Sequence, residues 1–339
     1  MPKQLVTFGA NLFGLPKKLT RQRWLPILLV PALYLTGSAC QLIAQDETSS
    51  QSVLRKLDSP NWKVRYEAVH SLSTVPLDRI VPEVRQRLMT LLAAENKAKW
   101  DKLRGITPDN TYPTSGPASE RWSEYYAALL GIVVGLHEEQ ALPLLVDSAD
   151  STMSHLNTTI AAYGAAALPF VLDRLKELST LTVKMPGYSG PPIQSQMALA
   201  DILAQMILLD QNHKLDPPLT ANNYEEILQG LHPLLLSPSS YVQFYAAITL
   251  ALGVDSRDAN TIRKIFAQQL ASPSPGERII TLQKLSEISD PAFIPLAKVK
   301  DLAENDPFFG QPLPGLNPLF RGPAVRRLAK RVLQKFPDN

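Results

Sequence analysis

The sequence has almost no cysteine. Its one thiol, Cys40, leaves no disulfide to form within the chain and no cysteine-based metal site. Histidine is scarce as well. His70, His137, His155, His213 and His232 share no metal-ligand spacing, and no H-E-x-x-H occurs. His137-Glu138-Glu139 reads as a helix start, where acidic residues favour the macrodipole. Nucleophile-elbow, phosphate-loop and dinucleotide glycine motifs are missing. From Val53 onward there is no period-two alternation and no β-branched run bounded by hairpin turns. These absences predict an all-α chain that is not an enzyme and needs no metal or cofactor.

Negative charge is missing from one stretch: no Asp or Glu precedes Asp46. The formal net charge is +3, and Lys3, Lys17, Lys18, Arg21 and Arg23 account for more than all of it. The remainder is therefore near neutral, which argues against nucleic acid as a partner, because phosphate binding needs a strong basic surface. One basic patch remains near the C-terminus, with Arg326, Arg327, Lys330, Arg331 and Lys335.

What is present at the N-terminus reads as an address. Arg21-Gln22-Arg23 precedes an apolar run from Trp24 to Leu35, then small residues Thr36-Gly37-Ser38-Ala39, then Cys40. A positive segment, an apolar core and a small-residue region are the layout of a secretory signal. Small residues just before a Cys resemble the lipobox of bacterial lipoproteins. That resemblance implies a lipidated Cys40 and a cell-envelope location, facing periplasm or exterior. Gly37 stands where the family prefers an aliphatic residue. Two other readings stay open: an uncleaved membrane anchor, since Trp24 to Gln45 holds no charge, and cleavage without lipid. The expected organisation is a signal over 1–39, a polar tether over 40–52 and a folded body over 53–339.

The body repeats a phrase. Val64, Ala68 and Leu72 form V-x-x-x-A-x-x-x-L; Val242, Ala246 and Leu250 repeat it, as do Val325, Ala329 and Leu333. Ser59-Pro60 and Ser237-Pro238 stand ahead of the first two copies. An apolar i, i+4, i+8 stripe behind a Ser-Pro start is an amphipathic helix with a capped beginning. A second phrase, an apolar pair and a Pro, marks the partner helix: Ile80-Val81-Pro82, Ala141-Leu142-Pro143, Ala167-Leu168-Pro169 and Phe293-Ile294-Pro295. Alternating the two predicts about seven helix pairs, each a Pro-bearing A helix followed by a B helix.

This recurrence resembles the HEAT-repeat (armadillo-type) family, carried by Asp58-Ser59-Pro60 with Val64-Arg65 and Ala68, by Val325-Arg326 and Ala329, and by Ala166-Ala167-Leu168-Pro169. The resemblance implies a right-handed α-solenoid, with Arg65 and Arg326 bracing neighbouring repeats through acidic partners; Gln243 breaks that ladder. Three stretches, 105–119, 180–192 and 305–322, are too long for a helix–helix turn, and each falls between the A and B helices of its own pair. They are expected on one edge, where insertions gather on a binding face. Phe308, Phe309, Leu313, Leu316 and Phe320 in the third, Tyr188 in the second and Tyr112 in the first are the candidate partner contacts. The third loop either covers the end of the stack or docks a partner. The expected function is a membrane-tethered envelope scaffold that docks an unidentified protein. The alternatives are an enzyme-associated solenoid resembling bilin lyase and chaperone proteins, or a membrane-anchored cytosolic adaptor.

Overall fold

The computed structural model describes residues 50–105, 117–151, 154–185, 188–310 and 321–337. These residues form a stack of helix pairs. The helices are α1 (residues 50–57), α2 (Trp62–Leu72), α3 (Pro82–Leu103), α4 (Pro117–Gly135), α5 (Leu142–Ser148), α6 (Ser154–Ala162) and α7 (Leu168–Thr180). They continue with α8 (Ile193–Gln211), α9 (Ala221–Leu231), α10 (Ser240–Leu252), α11 (Ala259–Leu270), α12 (Pro275–Leu285), α13 (Leu296–Asn305) and α14 (Ala324–Gln334). Odd-numbered helices make one layer: α3 packs on α5, α5 on α7, α7 on α9, and α11 on α13. Even-numbered helices make the other: α2 packs on α4, α6 on α8, α8 on α10, and α12 on α14. The chain is thus an all-α solenoid of HEAT-like pairs, odd helix then even helix.

The stripe residues explain the packing. Val242, Ala246 and Leu250 are fully buried, as are Val325 and Ala329. A small Ala at the middle of each stripe lets neighbouring even helices approach closely. The flanking aliphatics supply the burial, each worth about 1.5–3 kcal/mol. The prolines sit at helix starts: Pro82 opens α3, and Pro143 and Pro169 lie in the first turns of α5 and α7, where a missing N–H breaks no bond. Several links between pairs tighten into single 3-10 turns. Gly164 lies in one, at φ +53°, a conformation only glycine adopts freely, and an added Cβ would stand 3.3 Å from Leu215.

One feature departs from the all-helical expectation. Within the second insertion, Val183–Met185 (β1) pairs antiparallel with Tyr188–Gly190 (β2), in register Val183 with Gly190 and Met185 with Tyr188. The residues between are Pro186-Gly187, a strong turn pair. The ribbon packs against α3. Among the described residues, no helix is long and apolar enough to cross a membrane.

Candidate docking edge

The turns that lead from odd to even helices share one edge, and three of them are copies. In each, a Ser-Pro step places the Ser hydroxyl to accept from the N–H two residues on: Ser59 from Asn61 at 3.2 Å, Ser237 from Ser239 at 3.2 Å and Ser272 from Ser274 at 3.1 Å. The accepting unit is followed by an N-cap. Asn61 takes the N–H of Lys63 at 3.0 Å, Ser239 that of Val242 at 3.5 Å, and Ser274 that of Glu277 at 3.5 Å. A side chain six residues after the Ser then donates back to its carbonyl: Arg65 to Ser59 at 2.8 Å, Gln243 to Ser237 at 2.7 Å and Arg278 to Ser272 at 2.7 Å. Each turn therefore satisfies backbone groups that a helix start leaves open.

Two of these donors also reach the next pair. Arg65 lies 3.5 Å from Glu95 of α3 and donates to the Tyr125 hydroxyl of α4 at 3.4 Å. Arg278 grips Asp306, just past α13, with contacts of 2.7 and 3.3 Å, and the Asp306 side chain is only 1% exposed. The sequence offered no sign of Arg278, because Glu277 rather than a Val precedes it and the Val-Arg phrase is broken. The repeated Ser-Pro-x start with a basic or amide residue at the sixth place would have found it. Among the described residues Arg326 pairs with no carboxylate: its Nε donates to the main-chain oxygen of Asp306 at 2.7 Å.

Asp306 thus fixes the base of the third insertion to α12 and α14, and it also accepts the Phe308 N–H at 3.0 Å. Above it the two candidate phenylalanines part company. Phe308 is half-buried against the core, whereas Phe309 is 66% exposed. Gly310 and Gly322 then close the loop with reciprocal backbone bonds of 2.9 and 2.8 Å. Leu313, Leu316, Phe320 and Tyr112 lie outside the described residues, as does Cys40. Tyr188 occupies the strand position paired with Met185.

Other apolar side chains stand exposed near the same edge, and the sequence reading did not single them out. Leu236, in the turn before Ser237, is 85% exposed; Tyr241, in the first turn of α10, is 41% exposed. The Tyr241 hydroxyl donates to Glu277 of α12 at 2.7 Å, which raises its pKa. Ile280 of α12 is also exposed. Leu236, Tyr241, Ile280 and Phe309 are thus exposed apolar residues carried by the pairs built from α9 to α14.

Toward the other end the edge is polar. Trp100 of α3 donates to the Asp147 carbonyl at 3.2 Å, the Arg174 guanidinium lies 4.2 Å over its ring, and Arg174 pairs with Asp147 at 2.8 Å. Arg104 and Arg174 both hold Glu177. Burial lowers the pKa of Lys99 and raises that of Asp147, with Arg174 opposing the latter shift. His232, in the turn after α9, is clamped by Asp255 at 2.7 Å and Asp258 at 2.6 Å from the link between α10 and α11, one at each ring nitrogen. A groove of about 520 Å³ at the start of α3 and the link before α5 is lined by Pro82, Glu83, Arg85, Gln86, Met89, Glu138 and Gln140.

No known protein-family model matches the chain, and no curated protein matches it. Among solved structures, it is similar to the complex of CpcE and CpcF of phycocyanin lyase from Nostoc sp., with 14% identity and a TM-score of 0.39, over 93% of this chain and 91% of that one. This finding corrects the expectation of a chain that is not an enzyme. The lack of a sequence motif had excluded only motif-bearing chemistries. A likeness this distant assigns no reaction to the chain.

Proposed function

We propose that the chain is a protein-docking helical solenoid that works as one member of an assembly, with the odd-to-even edge of its last three pairs as the docking face. The observation that carries this is the exposure of Leu236, Tyr241, Ile280 and Phe309, at least one on each of those three pairs or the turns within them. Water-exposed apolar side chains gathered on one edge mark interaction surfaces, whereas scattered ones need no explanation. Leu236 and Phe309 stand beside turns fixed by part-buried and buried polar contacts, so they are held in place before a partner arrives, which lowers the ordering cost of binding.

The same face suits an enzyme-associated member of an assembly, the arrangement named for the CpcE and CpcF complex of phycocyanin lyase. Photo-crosslinking probes at positions 236 and 309, with a probe at 254 on the opposite edge, test the docking reading. Crosslinks to one partner from 236 and 309 but not 254 are expected; equal labelling from all three would sink it. Adding an open-chain tetrapyrrole to the purified chain, alone and with that partner, separates the enzyme-associated form: a shifted absorbance band is expected only for that form.

The membrane attachment belongs to the same proposal. Residues 1–39 serve as the address and Cys40 as the lipidated residue, with a retained anchor as the alternative. Intact mass of the native protein decides: an unprocessed, soluble chain would remove both.

A further inference from the structure

The last described helix carries charge of one sign. Residues 307–337 contain six cations and no Asp or Glu, whereas residues 40–320 contain 23 Lys and Arg against 30 Asp and Glu. The structure sorts these cations by face. Ala324, Val325, Leu328, Ala329 and Val332 turn inward and are buried. Arg327, Lys330 and Arg331 are exposed on the outer face of α14. Lys335 is tied to the Ser286 and Ile288 carbonyls at 3.0 and 2.7 Å, which anchors one end of the face to the preceding pair. Among the described residues, Lys330 and Arg331 form no ion pair.

An aromatic side chain stands at the other end. The antiparallel bridge between Gly310 and Gly322 sets Phe309 beside Pro323, the N-cap of α14. Arg327, Lys330 and Arg331 therefore share one face of α14, and its first end, at Pro323, lies beside the exposed Phe309 in the chain pairing.

We infer that this strip on α14 binds a short acidic segment of a protein partner, with Arg327, Lys330 and Arg331 on its carboxylates and Phe309 against an apolar neighbour of those carboxylates. The spacing fits. Arg327 and Arg331 are four residues apart, a rise of about 6 Å along the helix. Carboxylates two apart on an extended strand, at about 6.8 Å, or four apart on a helix, match that step. A guanidinium presents a planar fork that a carboxylate fills with two hydrogen bonds. The rest of the chain selects the kind of partner. A membrane surface or a nucleic acid is an extended polyanion that would also face the negatively charged remainder, whereas a short acidic segment meets only the strip. The inference rests on the docking reading in one respect, that the partner is a protein.

The test uses the full chain and a fluorescent helical peptide with Glu at every fourth position and a Leu beside each Glu. Saturable binding is expected, weakened by raised salt and about tenfold or more weaker for the double variant Lys330→Glu, Arg331→Glu. Both side chains are exposed, so an unchanged melting curve is expected and separates lost binding from lost folding. A peptide with Gln in place of Glu is expected not to bind. Equal binding of the variant, or of the Gln peptide, overturns the inference. So does binding only to phosphatidylserine vesicles, which would assign the strip to a membrane. Peptide binding without partner crosslinks from position 236, which lies outside the strip, would sink the apolar docking face and leave the strip; crosslinks from 236 without peptide binding would do the reverse.

Discussion

Two kinds of turn lie along the same edge. Those at Ser59, Ser237 and Ser272 are short and nearly identical, though the first two stand far apart in the chain. Those after α3, α7 and α13 carry the insertions, and none of them has the Ser-Pro-x start. The short turns satisfy their backbone groups locally, through a hydroxyl, a cap and a long donor. An inserted turn cannot, so its ends are held by neighbours: Glu177 by Arg104 and Arg174, Asp306 by Arg278, and the third loop by its Gly310–Gly322 bridge. Of the three short turns, that at Ser237 shows only its local bonds, whereas those at Ser59 and Ser272 add a reach to the next pair through Arg65 and Arg278. An insertion gripped by adjacent pairs couples those pairs to whatever the loop touches.

The sharpest way to break this comparison is Arg278→Met. It would leave the Asp306 carboxylate buried and uncompensated, and a loss of about 3–5 kcal/mol is expected by urea unfolding. Arg65→Met should cost roughly half of that or less, because its partner Glu95 is 3.5 Å away and Arg65 retains 18% exposure. Equal losses would mean that the grip on the insertion is no different from the bracing of a short turn.

Phe308→Ser comes next, at about 2 kcal/mol, since it removes a half-buried ring that packs on the core at the loop's base. The caps follow. Asn61→Ala, Ser239→Ala and Ser274→Ala should each cost about 1 kcal/mol, and by similar amounts if the three turns are one device. A cap costing several times the others would show that the copies differ in energy despite their shared geometry.

A turn on the opposite edge gives a smaller, pH-dependent effect. Hydrogen bonds from Arg257 hold the Asp255 carboxyl below its ordinary pKa, with a further contribution from His232, while burial opposes them. A lowered folded-state pKa means stabilisation that is present above the ordinary carboxylate value, near 4, and is lost as pH falls through the folded value. Asp255→Asn should therefore flatten the stability profile below about pH 4. An unchanged acid limb would remove Asp255 from the set of fixed turns.

The periodic features were legible in the sequence. The Val, Ala and Leu stripes and the helix-start prolines set the phase of the pairs, because a helix face needs only spacing to be recognised. Strands of three residues are too short for any period to show, so the ribbon at Val183 was not legible. The exposed apolar residues were hidden for another reason. Leu234, Leu235 and Leu236 are the same residue in succession, yet the first two are buried and the third is 85% exposed. Only the exact rotation of a 3-10 turn and the position of the neighbouring pair decide which Leu faces water. Arg278 was hidden because its partner, Asp306, is distant in sequence and is brought near only by stacking.

The smallest expected effect on stability is the most informative about function. Phe309→Ser removes a ring that is 66% exposed, so unfolding should change by no more than about 0.5 kcal/mol. Leu236→Ser, at 85% exposure, should behave alike. Neither side chain sits in a helix cap or a buried ion pair, and neither leaves a cavity when shortened. If these exposed residues serve a partner, both variants should keep the melting curve of the parent and lose crosslinking from the remaining positions of the set. A large stability loss from Phe309→Ser would show instead that this ring covers the stack, and that Phe308 and Phe309 share one task at the base of the loop.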